Sequence, residues 1–417
     1  DHNWGSYQSI NITGSEMLVD GTDIIGYQLS YGSTVTRFDF AGDVEIRDDS
    51  WLMPAPAGSI GGDLVIRDSN FTGINNWESD HSLDVNDTSL DMGGLGIYDS
   101  IWWYSANQDC SFSNFGKKAC LFPRAFESVS WEVDSDSDVI LDNFTLRHSS
   151  HYSAHEHDSF RFNITTSGDI EITDSEINSD YHCGTMSNCR IYNSYSHYYN
   201  ENPYRYAYFN LSGSDISIEG SDIWIEGGTE SDLGGDNNQD NITSYFSIEG
   251  DSLEVINSTL ESHAYGWSTQ SNGDYDRHAE AEMIFDIDGS SIFRDSELKV
   301  QSMERTNHSG DYWRADSSMK ITSSSLYSYD TNFSSYRWTR YGEESIDFDI
   351  SGHAKYEDSN IVSREFRADY GSLDMDGTKI TGDFKGHNGD KRYSESFVVD
   401  ITSTGDFSID NSSIYYF

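Results

Sequence analysis

The residues best suited to chemistry in this sequence are carboxylates. Asp134, Asp136 and Asp138 alternate with serine in DSDSD (134–138). Alternate carboxylates on a turn can converge on one hard cation, so Ca²⁺ is the metal for which the sequence offers a site. An EF-hand type of loop would need a following glycine, and Val139 occupies that place. Nothing else in the chain requires a cofactor. Four cysteines fall in two close pairs, Cys110 with Cys120 and Cys183 with Cys189. That spacing predicts two local disulfides; the competing zinc reading finds no CxxC and only His182 beside Cys183. N-x-S/T sequons occur at Asn11, Asn70, Asn86, Asn143, Asn163, Asn210, Asn241, Asn257, Asn307, Asn332 and Asn411. They predict glycosylation of an exported chain.

Composition restricts the partners. Over 417 residues, 25 Lys and Arg face 72 Asp and Glu, a formal charge of −47. Nucleic acid and anionic lipid are excluded, because phosphate binding needs a basic footprint. Disordered acidic tails lack aromatic residues, whereas this chain is 14% aromatic, so an ordered fold with an anionic surface is expected. The chain starts at Asp1 and contains no apolar run of 18 residues. The expectation is secretion to the cell surface through a removed signal peptide, with no membrane insertion.

The elements that must position these groups come from one repeat. Its pattern is apolar, any, apolar, any, then Asp, Asn or Gly, a small hydroxylic residue, any, and apolar. Copies read VEIRDDSW (44–51), LVIRDSNF (64–71), LDVNDTSL (83–90), IEITDSEI (170–177), ISIEGSDI (216–223), LEVINSTL (253–260), MKITSSSL (319–326), AKYEDSNI (354–361), LDMDGTKI (373–380) and FSIDNSSI (407–414). Weaker copies are MLVDGTDI (17–24), VILDNFTL (139–146) and SIFRDSEL (291–298). Alternation of period two predicts a strand with one buried face, and the Asp, Asn or Gly position predicts a left-handed bend. The bends fall at Gly21, Asp48, Asp68, Asp87, Asn143, Asp174, Gly220, Asn257, Asp295, Ser323, Asp358, Gly377 and Asn411. A further strand precedes most copies, as in FDF (38–40), FNI (162–164) and FDI (348–350).

Strand, bend and strand, repeated in one direction, predict a single all-β domain over 1–417: a right-handed parallel β-helix, or β-solenoid, of about 13 coils. With coils about 4.8 Å apart the rod is roughly 60 Å long. Insertions are expected at about 95–128, 181–206, 228–242, 264–280, 304–315 and 333–344. A propeller would need regular 40-residue periods, whereas bend spacings here run from 19 to 56.

GDIEITDSEI (168–177) resembles the parallel β-helix repeat of pectate-lyase-like proteins, and the likeness covers nearly the whole chain. The resemblance implies the fold; its members include lyases, hydrolases, adhesins and fibre subunits. Polygalacturonase-like members carry NTD, paired Asp, GHG and RIK motifs. Here Gly386-His387-Asn388 and Arg190-Ile191-Tyr192 stand without companions, and the sequence predicts no catalytic residues. In enzymatic members the chemistry lies on an outer strand face. The corresponding row here would align Asn11, Asp39, Glu132, Asn163, Asn210, Ser247, Asp286, Asp349 and Asp400, for which solvated charge is the preferred reading over acid–base work or Ca²⁺.

The insertions, such as DYWR (311–314) and YRWTRY (336–341), are aromatic and carry eight of the 17 arginines. They suit stacking on glycans, docking to a neighbouring acidic subunit, or covering a sheet edge. Uncovered terminal coils expose backbone groups and core, and a head-to-tail contact satisfies both. The leading functional expectation is therefore an extracellular subunit that self-assembles into a cell-surface fibre or sheath, and an archaeal origin fits the acidity. The rival is a discrete carbohydrate-binding adhesin or polysaccharide-cleaving enzyme.

Overall fold

Each coil is set by an alternating apolar run broken at one left-handed residue. The computed structural model describes residues 8–25, 34–48, 50–53, 56–72, 75–79, 83–86, 89–91, 96–97, 121–122, 128–147, 157–178, 204–231, 241–268, 277–306, 313–337, 342–382 and 397–416. The chain is a parallel β-helix of thirteen coils, with three separate strands in coils one to six and thirteen. Coil one consists of Gln8–Gly14, Met17–Asp20 and Asp23–Ile25. Coil thirteen consists of Val398–Ser403, Phe407–Asp410 and Ser413–Tyr416. All neighbouring coils pair in parallel. The antiparallel pair among the described residues is Gly96–Ile97 with Leu121–Phe122, inside the first long insertion.

The inward residues form continuous columns. In the second strand Val44 pairs with Leu64, and Val139 pairs with Ile170, whose column continues through Ile216 and Leu253. In the first strand Phe162, Phe209 and Phe246 lie in register, with ring centroids 4.9 and 4.4 Å apart. Those distances match the spacing between coils, so aromatic contact and backbone pairing reinforce one another. Each buried Phe, Leu or Ile contributes about 1.5–3 kcal/mol.

The bend between second and third strands is left-handed in twelve coils. Nine bends use Asp or Asn at φ between 43° and 59°, as at Asp68, Asn143, Asp174 and Asn257, and three use Gly21, Gly220 and Gly377. These residue types tolerate that conformation best. Asp87, predicted for the remaining coil, lies outside the described residues. The next residue is buried and usually hydroxylic. The Ser175, Ser221 and Ser258 N–H groups donate to Ser221, Ser258 and Ser296 Oγ at 3.1, 3.1 and 3.2 Å. Each hydroxyl in turn donates to the carbonyl two residues back, at 2.7 Å for Ser258 and Ser296.

Two copies are placed differently from the expectation. In coil ten the bend is Asp330, at φ 45°, and not Ser323. Met319 and Ile321 belong to the first-strand columns beside Met283 and Phe285, so the octapeptide is LYSYDTNF (326–333). The alternation of MKITSSSL is genuine strand pattern, but the residue there that resembled a turn sits inside the long strand Trp313–Tyr329. In coil two the third strand is Trp51–Met53, and Leu52 rather than Trp51 pairs with Ile24 and Phe71. The turn from Asp48 to the strand at Trp51 is one residue longer than that from Asp68 to the strand at Asn70.

In coils seven to twelve the first two strands merge, as in Tyr204–Glu219 and Asn241–Ile256. At the bend between them the coils approach closely: a Cβ on Gly250 would lie 2.8 Å from the Gly213 carbonyl oxygen. Every long stretch between strands joins the third strand of one coil to the first strand of the next. Third strands run further into these stretches than expected, to Ser231, Ser268 and Thr306. A further stretch, between Gly382 and Val398, was not anticipated.

Ser221→Ala leaves the Ser175 N–H unpaired in the interior and is expected to cost about 1–3 kcal/mol, read as a lower thermal midpoint, whereas Ser217→Ala on the outer face stays within about 0.5 kcal/mol. Asp330→Val forces a β-branched residue into the left-handed region and is expected to cost about 1–2 kcal/mol. Asp330→Gly is expected to leave the midpoint nearly unchanged. The reverse ranking, with valine tolerated at Asp330 and not at Ser323, would return the bend to Ser323.

Candidate functional site

The outer face of the first strands carries the acidic row expected from the sequence, split into two. Glu132, Asn163, Asn210 and Ser247 share one column. It continues through Ile284, Lys320, Asp347, Arg367 and Asp400. Asp286, Thr322, Asp349 and Asp369 form the neighbouring column. Asn11 pairs with Arg37 and not with Asp39. A slip of two residues keeps a side chain on the same face, so alternation alone could not detect it. The basic residues Lys320 and Arg367 interrupt the first column, and the nine residues expected in one row do not share a single column.

The same face bears an aromatic step over coils six to eight. Tyr208 lies between Tyr206 and Tyr245, each with ring centroids 6.4 Å away, and the Arg161 guanidinium sits 5.4 Å over the Tyr208 ring. Burial pushes the Tyr208 hydroxyl above its ordinary pKa.

A denser group of titratable side chains lies on the third strands of coils seven to nine. Trp224, Glu261 and Lys299 are direct register partners. His263 Nε2 lies 2.5 Å from Glu261 Oε2, and the Lys299 ammonium donates to the same oxygen at 2.9 Å. The His263 ring stacks on Trp224 at 4.6 Å. Burial holds the His263 pKa below its ordinary value, with Glu261 opposing. Glu261 is itself lowered, burial being outweighed by hydrogen bonds from His263 and Lys299. The charges thus neutralise one another around a tryptophan. Sequence reasoning missed this group because its members lie on three coils, about 38 residues apart, with no shared local motif.

A second buried ion group, also unforeseen, closes the corner of coils ten to twelve. Arg364 Nε lies 3.1 Å from Glu344 Oε2, and the Arg364 backbone N–H donates to Glu344 Oε1 at 3.1 Å. Arg337 donates to the Gly342 carbonyl beside them. Burial pushes the Glu344 carboxyl up to about 7 despite both arginines.

The predicted Ca²⁺ residues all lie exposed. Asp138 Oδ1 accepts the Asp169 N–H at 3.0 Å, and Asp169 Oδ1 accepts the Asp215 N–H at 3.1 Å, so this position forms a side-chain-to-backbone ladder between coils. Among the described residues no three His, Cys, Asp or Glu side chains form a metal-holding group. Cys110, Cys120, Cys183, Cys189 and Asn307 lie outside the described residues.

The sequon asparagines divide by position. Asn143, Asn257 and Asn411 are exposed left-handed bends. There, an Asn followed by a buried hydroxyl position and then Thr or Ser generates the N-x-S/T pattern through turn chemistry. Asn210 Nδ2 donates to Asn163 Oδ1 at 2.8 Å, and Asn360 Nδ2 to Asn332 Oδ1 at 3.0 Å. Asn11 is exposed. Asn70, Asn86 and Asn241 stand at strand ends.

The first and last of the described coils present further surfaces. Phe407, Ile409 and Ile414 of coil thirteen are 52%, 40% and 49% exposed, whereas their partners Leu373, Met375 and Ile380 in coil twelve are at most 2% exposed. Burial at these positions is therefore supplied by the next coil. Ile12, Met17 and Ile24 of coil one are partly buried against the core. The two faces are complementary in hydrogen bonding. At successive bends the left-handed N–H donates forward, as from Gly21 to the Arg47 carbonyl at 3.2 Å and from Gly377 to the Asp410 carbonyl at 3.2 Å. At this bend coil thirteen presents an N–H and coil one a carbonyl, and the direction reverses at the start of the third strand, where the Ser413 N–H donates to the Thr378 carbonyl at 2.9 Å. Comparison with protein-family models, curated proteins and solved structures finds no match to the chain.

The folded state favours a protonated Glu344, so stability from this group is full below the ordinary carboxyl value of 4.5 and declines as pH rises to about 7. His263 acts oppositely: its lowered pKa favours the folded state above the ordinary value of 6.5, and this is lost as pH falls. Thermal melts of Glu344→Gln between pH 4.5 and 7 are expected to show a shallower decline than those of the unsubstituted chain. Parallel curves would show that Glu344 is ionised throughout.

Proposed function

We propose that this chain is an extracellular structural subunit that stacks end to end into a cell-surface fibre or sheath, with a second copy of itself as partner. The observation that carries the reading is the uncovered core of coil thirteen, where Phe407, Ile409 and Ile414 stay exposed at positions buried one coil earlier. An apolar column and a row of strand edges are a surface that another coil covers. The two end faces differ, so the contact is heterologous and propagates without closing. The surplus of carboxylates along the sides opposes lateral association of such rods.

A second reading, a discrete carbohydrate-binding rod, draws on the outward step of Arg161, Tyr206, Tyr208 and Tyr245. Aromatic faces beside a guanidinium suit sugar rings. Electron micrographs of purified chain 1–417 are expected to show long threads of uniform width. Isolated rods of about 60 Å that bind or cleave polysaccharide would overturn the fibre.

A further inference from the structure

We infer that the joint between copies is in register, strand on strand and bend on bend, and that it closes only when salt screens an acidic rim. The inference rests on the end-to-end reading above and specifies its geometry and its control.

The register follows from matching the two end coils. Val399 and Ile401 of coil thirteen correspond to Ile10 and Ile12 of coil one, Phe407 and Ile409 to Met17 and Val19, and Ile414 to Ile24. The left-handed bend Asn411 corresponds to Gly21, and the hydroxyl residue Ser412 to Thr22. Thr22 Oγ1 already donates to the Asp20 carbonyl at 2.8 Å, as Ser412 Oγ does to the Asp410 carbonyl at 2.8 Å. Within the chain, the Thr378 N–H donates to Ser412 Oγ at 3.1 Å and the Thr22 N–H to Ser50 Oγ at 3.1 Å. Repeating that step across the joint sends the Ser412 N–H to Thr22 Oγ1, and the Asn411 N–H to the Asp20 carbonyl. Asp406 occupies the place from which Asp43 accepts the Asp63 N–H at 3.0 Å, so its carboxylate meets the Glu16 N–H. All three interior columns and both hydrogen-bond ladders then run on without interruption.

The rim opposes this fit. Asp400, Asp406 and Asp410 border the coil-thirteen face, and Glu16, Asp20 and Asp23 border the coil-one face; all six are exposed. In register, Asp410 lies over Asp20 and Asp406 over Glu16. Two basic groups stand against them from the neighbouring coils: Arg47 of coil two, 3.1 Å from Asp20, and Arg367 of coil twelve, the register partner of Asp400. Joining two chains of charge −47 at a coil spacing of about 4.8 Å brings like charges well inside the screening length of about 30 Å at 0.01 M salt, but leaves them beyond the roughly 3 Å at 1 M. The apolar contact strengthens under the same change, so both effects favour closure at high salt.

Sedimentation and micrographs of chain 1–417 between about 0.01 and 1 M NaCl test the control. Dispersed rods at low salt and threads at high salt are expected, with the Asp406→Asn, Asp410→Asn double variant assembling at lower salt than the unsubstituted chain. Threads that form equally at every salt concentration would overturn the gating while leaving the fibre standing. Dispersed rods at every salt concentration would overturn the fibre itself. Two variants test the register, with thermal melts confirming that each remains folded. Phe407→Glu is expected to abolish thread formation, and Thr22→Val to shift it to higher salt. Assembly of Thr22→Val indistinguishable from that of the unsubstituted chain would overturn the in-register joint.

Discussion

The structure depends on one small device, a left-handed residue followed by a buried hydroxyl, repeated where the second strand turns into the third. The left-handed residue reverses the chain sharply enough to keep each coil short. The hydroxyl then occupies a corner where a backbone N–H from the previous coil would otherwise be buried without a partner. Because Ser175, Ser221, Ser258 and Ser296 each serve the coil before and the carbonyl two residues back, the device aligns coils as well as turning them. Where Phe144 replaces the hydroxyl, its N–H still reaches Ser175, so the ladder passes the interruption.

The interior is otherwise segregated by charge. Neutral hydroxyls are admitted to it, as with the Ser244–Ser262 pair at 2.9 Å and the Tyr356–Tyr370 pair at 2.9 Å. Burial raises both of those phenols well above their ordinary range. Among the described residues, buried charged side chains are confined to the group around Glu344, at the corner, and the group around Glu261, on an outer face. A strongly anionic chain can form a solenoid because alternation directs nearly every carboxylate outward, where water solvates it.

Most of this was legible from the sequence, for a physical reason. The bend is a local requirement that few residue types meet, so Asp174, Gly220 or Asn257 between two apolar pairs could be read from eight residues. Ser323 misled because a serine run inside a strand resembles a turn when no partner strand is in view, and Asp330 sits in a copy whose interior residues, Ser328 and Tyr356 in the next coil, exchange size with one another. Ser328 fills little of the column and Tyr356 fills much, which hides the apolar pattern while preserving volume. The strand face was legible but its columns were not, since register along the rod depends on bulges such as that between Gly250 and Leu253. The group of Trp224, Glu261, His263 and Lys299 exists only through stacking, and no single stretch of chain records it.

All of the long connections leave from a single corner of the coil, between third and first strands. Residues added to an open connection cost little, about 0.6 kcal/mol for each doubling of its length, and they leave the order in which coils meet unchanged. The other two corners have no such latitude, because one holds the hydroxyl device and the other brings glycine against backbone. One ridge of the rod is therefore free to diverge in length and chemistry while its opposite walls are held constant, so related chains could present quite different surfaces along that ridge and still share an interchangeable interior.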